Sequence, residues 1–133
     1  MSAIIDEFRQ DHARIGAALE EVKQQGIGSV GGRQALFSAR QTLLDHLEKE
    51  NRVLYPVLRR HAQNDPGLQR LLADFASEME QVAAMAVGFF DKYTASSSGL
   101  DFARDFGRLA AGLGRRITRE ENLLYPEYER RGG

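Results

Sequence analysis

Two stretches of this chain repeat one chemistry-bearing spacing: HLEKENRVLYP over residues 46–56 and RITREENLLYP over residues 116–126. Residues four apart on a helix share a face. His46 and Glu50 therefore aim an imidazole and a carboxylate at one point, which is the donor pair a metal ion takes. Arg116 and Glu120 present the same face with a guanidinium in place of the imidazole, so the second copy keeps its carboxylate and loses its nitrogen donor.

Extending the apolar spacing of the chain through its gaps places further polar residues on inward faces. His12 falls between Phe8 and Ile15, His46 and Glu50 between Leu43 and Val53, and Arg116 and Glu120 between Leu113 and Leu123. Met79 occupies the matching level of the third helical segment. Ionised carboxylates buried without partners are expensive, so Glu50 and Glu120 must meet a metal, an arginine or protons. Cys is absent, which excludes thiolate chemistry, disulfides and Cys-based zinc or iron–sulfur sites and leaves His, carboxylate, Tyr or Met as ligands. Two readings stand side by side. One is a metal site of His12, His46, Glu50 and Glu120 with Arg116 and Met79 beside it. The other is an Arg–Glu–His hydrogen-bond network without metal, in which Arg116 is the counter-ion.

The elements that must position these residues are marked by three breaks, at residues 26–32 (GIGSVGG), 64–67 (NDPG) and 95–99 (ASSSG). Each is rich in residues that supply positive φ, preset a turn or compete with the helix backbone. In the four segments between them apolar residues recur at spacings of three and four, as in Ile5, Phe8, Ile15, Leu19 and Val22 of the first, the mark of amphipathic helices. Short connections force antiparallel neighbours. The fold class is all-α, an antiparallel up-down-up-down four-helix bundle, forming one domain over residues 1–133. Mid-helix positions then lie at one height, so the five polar side chains meet in one layer. Pro56 and Pro126 interrupt helical patterns and are expected to bend or end their helices near the adjacent tyrosine. Asp65 and Asp101 are expected as amino-terminal caps of the third and fourth helices.

The 133 residues carry a formal charge of −1 and a pI near 6.3, with no basic stripe for phosphate neutralisation, so no nucleic-acid partner is expected. No apolar run approaches the roughly 20 residues of a membrane helix. The amino terminus lacks a charged-then-apolar secretory pattern, which points to the cytoplasm. His61 reads as a solvated residue near a helix end, Tyr55 and Tyr125 as helix-end tyrosines with wet hydroxyls, and Arg119 and Glu121 as part of a solvated face. Phe89, Phe90 and Tyr128 are possible contacts for a protein partner or a second copy.

A first-helix Asp11-His12 followed by Ile15, a second-helix His46-x-x-x-Glu50 running into Leu54-Tyr55-Pro56, and the fourth-helix repeat ending Leu124-Tyr125-Pro126 resemble the hemerythrin-like, or HHE cation-binding, proteins over nearly the whole chain. The resemblance implies a non-haem di-iron site within a four-helix bundle, with His12 and His46 as histidines of one metal and Glu50 and Glu120 as bridging carboxylates. The other metal would draw histidines from the third and fourth helices. The third has none, Met79 stands where one would fall, and Arg116 stands at the position in the fourth. A second iron therefore lacks its nitrogen donors, because a guanidinium is no ligand and a thioether is a weak one for iron.

The expectation is one divalent ion on His12, His46, Glu50 and Glu120. Iron is implied by the resemblance, and zinc or manganese are compatible with the donor set. Such a protein would serve as a sensor or carrier of metal, of redox state or of a diatomic gas such as oxygen. The alternative is a metal-free interaction or regulatory module in which Arg116 replaces metal in the core. No nucleophile–base pair and no phosphate-binding glycine loop after a strand is visible, so the sequence gives no ground for reading an enzyme.

Overall fold

A computed structural model describes residues 3–26, 28–94 and 100–131. The described residues form α1 (Ala3–Gln25), α2 (Val30–Lys49), α3 (Tyr55–Ala62), α4 (Pro66–Thr94), α5 (Leu100–Arg119) and α6 (Tyr125–Arg131). A π-helical turn, Glu50–Leu54, joins α2 to α3, and another, Glu120–Leu124, joins α5 to α6. The chain thus makes four rods: α1, α2 with α3, α4, and α5 with α6.

Their alternation is legible in the core. One apolar cluster gathers Ile5 and Phe8 from the start of the first rod, Leu58 from the end of the second, Phe75 from the early third and Tyr128 from the end of the fourth. The other gathers Val22, Leu36, Tyr93 and Phe106 from the opposite ends. The bundle is antiparallel and all-α, as the short connections require.

Local chemistry sets the rod ends. Gly26 has φ +69°, the left-handed conformation that closes a helix, and its N–H bonds the Val22 carbonyl at 2.8 Å. The Ser29 hydroxyl accepts the Gly32 N–H at 3.0 Å, so α2 is capped and begins inside the glycine-rich stretch expected to be a break. A Cβ at Gly32 would overlap the Gly26 carbonyl. Asp65 caps α4 as expected: its carboxylate accepts the Leu68 N–H at 3.1 Å and the Arg131 guanidinium at 2.6 Å. Asp101 does not precede its helix. It lies in the first turn of α5 and accepts from Arg104 at 3.2 Å. The break expected at residues 95–99 lies outside the described residues.

The two prolines neither end nor break their rods. Pro has no N–H and its ring collides with the carbonyl four residues back. The chain absorbs one extra residue instead, so that the Tyr55 N–H bonds the Glu50 carbonyl and the Tyr125 N–H bonds that of Glu120. This five-residue ladder brings Glu50, Leu54 and Tyr55, and likewise Glu120, Leu124 and Tyr125, onto the buried face together. Phe89, Phe90 and Tyr128, expected as possible surface contacts, are all buried. No helix among the described residues is long and apolar enough to cross a membrane.

Candidate metal centre

Between the two apolar clusters lies a polar layer. Asp11, His12, His46, Glu50, Arg116 and Glu120 are each at most 5 % exposed. One ligand atom from each of His12, His46, Glu50 and Glu120 lies within 4.8 Å of the other three. His12 Nε2 stands 3.0 Å from Glu120 Oε1 and 3.1 Å from His46 Nε2, and His46 Nε2 stands 3.4 Å from Glu50 Oε2.

Carboxylates outside this cluster orient both imidazoles. His46 Nδ1 donates to Asp11 at 2.9 Å and His12 Nδ1 donates to Glu121 at 2.7 Å. Asp11 is itself held by Lys49 at 2.7 Å. With each Nδ1–H committed to a carboxylate, both Nε2 atoms point inward. Two imidazole lone pairs facing each other at 3.1 Å repel unless a proton or a metal ion lies between them.

The electrostatics follow. Burial disfavours the His46 cation, but hydrogen bonds and charge from Glu120, Glu50 and Asp11 outweigh it and hold the imidazole up to about 10. Burial and the neighbouring Glu120 charge raise Glu50, whereas His12, His46 and Arg116 hold Glu120 below the usual carboxylate range against its burial. The layer draws positive charge inward. Glu50 Oε1 makes no hydrogen bond and is available to a cation, while Glu120 Oε2 faces Arg116 Nε at 3.4 Å. Donor types, burial and the Glu50 oxygen all fit an ion held by nitrogen and oxygen ligands.

Arg116 enters the layer as the spacing predicts, but it pairs with Glu120 alone of the two carboxylates: Nε stands 3.4 Å from Glu120 Oε2. Nη1 donates to the Phe75 carbonyl at 2.8 Å and Nη2 to the Tyr55 hydroxyl at 2.7 Å. The guanidinium lies 4.7 Å from the centre of the Phe75 ring. Met79 is half-buried against the cluster that contains Phe75. His61 lies in the last turn of α3, apart from the layer.

Four residues take parts that their sequence positions did not reveal. The Tyr125 hydroxyl is buried in the centre of the layer, 2.8 Å from Glu50 Oε2 and 3.1 Å from His12 Nε2. Tyr55 is buried too, against Arg116. The wet-hydroxyl expectation fails for both because the π turns swing them inward. Asp11, which the sequence offered only as part of the family motif with no role of its own, and Glu121, which read as part of a solvated face, orient the two histidines. A carboxylate next to a buried histidine, or next to its carboxylate partner, was the available signal.

The two halves of the bundle repeat several contacts. Phe8, Asp11 and His12 of α1 correspond to Phe75, Glu78 and Met79 of α4 at one constant offset, as do His46, Lys49, Glu50 and Tyr55 to Arg116, Arg119, Glu120 and Tyr125 at another. Phe8 packs edge-on against His46 as Phe75 lies under Arg116. Lys49 pairs with Asp11 as Arg119 pairs with Glu78. Each tyrosine reaches across to the other half, Tyr125 to His46 and Tyr55 to Arg116.

A family model described as the hemerythrin HHE cation binding domain matches residues 3–128. No curated protein and no solved structure gives a significant match.

Proposed function

Because the chain belongs to the hemerythrin HHE cation-binding domain family, we propose that its core holds one divalent ion on His12, His46, Glu50 and Glu120, with Arg116 in the place of a second ion. The observation that carries this is that His12 Nε2 stands 3.1 Å from His46 Nε2 and 3.0 Å from Glu120 Oε1 with both Nδ1 atoms already committed to carboxylates. With Asp11 paired to Lys49, Glu50, Glu120 and Arg116 leave one negative charge, and a divalent ion would change that to one positive. Iron is the metal that the resemblance implies, and zinc and manganese suit the same donors.

When bound, the ion supplies a Lewis-acidic centre, redox-active if it is iron, to which a small molecule such as a diatomic gas binds. Asp11 and Glu121 hold the imidazoles in the metal-binding tautomer, and the two apolar clusters keep water from the layer. The corresponding role is sensing or carriage of the ion or of what binds to it.

A metal-free polar layer is the second reading. The observation favouring it is the Arg116–Glu120 pair: with His46 protonated, two positive and two negative groups sum to zero. Thermal unfolding of chelator-treated protein with and without Fe(II) or Zn(II) separates the two. Free metal at 100 times its dissociation constant should stabilise the wild type by about 2.7 kcal/mol and leave His46→Ala unmoved. Identical wild-type melting in chelator and in either metal would leave the metal-free network standing.

A further inference from the structure

Tyr125 makes contacts that neither the family match nor the repeat explains. Its hydroxyl oxygen lies 2.8 Å from Glu50 Oε2, 3.1 Å from His12 Nε2, and 3.4 Å from both His46 Nε2 and Glu120 Oε1. These are the four side chains that converge on one point. A phenol carries one proton and can satisfy one of them, with Glu50 the nearest. Toward the other three it presents an oxygen, in the position of a further donor around a shared centre.

The placement is rigid. The Tyr125 N–H closes the π turn onto the Glu120 carbonyl, which brings the tyrosine and the glutamate five residues before it to one face. Its ring stacks on His12 at 5.6 Å and packs against Phe8 at 5.6 Å, and the residue has no exposed surface. Tyr55 is the built-in contrast. It holds the equivalent place in the other repeat, yet its hydroxyl accepts from Arg116 and has no free imidazole to share an ion with.

We propose that Tyr125 is a fifth ligand, whose phenolic oxygen coordinates the ion held by His12, His46, Glu50 and Glu120 and lets the centre hold trivalent as well as divalent iron. The inference rests on the single-ion reading above. Phenolate is a hard anionic oxygen donor, suited to a hard trivalent ion. Charge supports it as well. Fe(III) with Glu50, Glu120 and a phenolate is neutral, so the layer with Arg116 carries one positive charge, the same as a divalent ion with the phenol intact. On loading, the O–H bond of Tyr125 breaks, an Fe–O bond forms, and the proton leaves to solvent without any change in oxidation state.

The test is to add ferric nitrilotriacetate to the full chain after chelator treatment, desalt it, measure iron by mass spectrometry, verify the ferric state by electron paramagnetic resonance, and record visible absorption and resonance Raman spectra. Wild type should retain about one iron per chain, with a phenolate-to-iron charge-transfer band and tyrosinate ring modes. Tyr125→Phe should retain iron and lose both signatures. The chain has four tyrosines, so Tyr55→Phe, Tyr93→Phe and Tyr128→Phe decide the matter if Tyr125→Phe does not fold: the band surviving in all three supports Tyr125, and its loss in any one overturns the assignment. Ferric iron retained by wild type without the band, or a band that persists in Tyr125→Phe, overturns the fifth ligand and leaves the single-ion site intact. No retained iron, with no uptake of Fe(II) or Zn(II) either, overturns the site and the ligand together.

Discussion

His46 and Arg116 stand at equivalent points of a duplicated framework, one offering a lone pair and the other a fixed positive charge. That difference decides what each half can hold. The Arg116 guanidinium has three anchors, namely Glu120, the Phe75 carbonyl and the Tyr55 hydroxyl. Removing it strands a buried carboxylate and two buried oxygens, so Arg116→Leu should destabilise the metal-free protein by about 3–5 kcal/mol. Chemical denaturation in chelator measures it, and a loss below about 0.5 kcal/mol, within the range of an ordinary surface substitution, would show that Arg116 does not balance the layer. His12, His46, Glu50 and Glu120 were legible because polar residues on an apolar stripe at helical spacing stand out against the cost of burying them. Tyr125 was not, since regular helical phase carries it away from Glu120. Nor were Asp11 and Glu121, because an acid beside an inward residue looks solvated until the partner helix is in place.

At the scale of elements, the π turns set the geometry of the layer. Each spends one additional residue just ahead of a proline, and each puts a glutamate and a tyrosine on one face. The sequence showed that Pro56 and Pro126 disturb their helices. It did not show whether the disturbance is a bend, an end or an inserted residue, because that choice is made by packing across the bundle. Asn122 is the exposed middle residue of the second turn. Deleting it should restore the four-residue ladder with Glu120 and the tyrosine four residues apart, still on one face, and set the Pro126 ring against the carbonyl four residues before it, a clash of about 3 kcal/mol. The deletion should lower the melting temperature, whereas Asn122→Ala should stay within about 0.5 kcal/mol of wild type. A deletion variant as stable as the wild type would mean that the π turn does not serve to absorb the proline.

Asp65 acts at the same scale, joining the start of α4 to the end of α6. Its backbone hydrogen bond to Leu68, together with the Arg131 guanidinium, holds its carboxyl below the usual value of 3.8. A depressed carboxyl contributes stability that is present above its unfolded pKa and is lost as pH falls through the folded one. Asp65→Asn should therefore melt lower than wild type at neutral pH, and the gap should close as pH falls below 3.8. Melting curves across that range check it, and a gap that stays constant with pH would contradict the charge-based role.

For the molecule as a whole, the layer is a polar slab between two apolar clusters, and its position follows from the antiparallel pairing of four rods of similar length. The fold class was readable because helical periodicity and turn residues agree along the chain. The correspondence of the two halves was readable only in part: the repeat of residues 46–56 in 116–126 is plain in the sequence, but that of α1 in α4 rests on Phe8 and Phe75, Asp11 and Glu78, and His12 and Met79, too sparse to align without the structure. One half has two histidines, and the other has a methionine and an arginine in their places, so the imidazole donors stand in one half of the duplicated plan. Arg116 is among the residues that line a groove of about 550 Å³ between α4 and α5, on the side of the layer without imidazoles.

The most direct measurement is metal content per chain, by mass spectrometry, on protein prepared without chelator and after reconstitution with Fe(II) or Zn(II), beside Glu120→Ala. One ion per chain in the wild type and none in the variant is the result predicted. Two ions per chain, or none under any loading, would contradict a single-ion core in which Arg116 takes the place of the second.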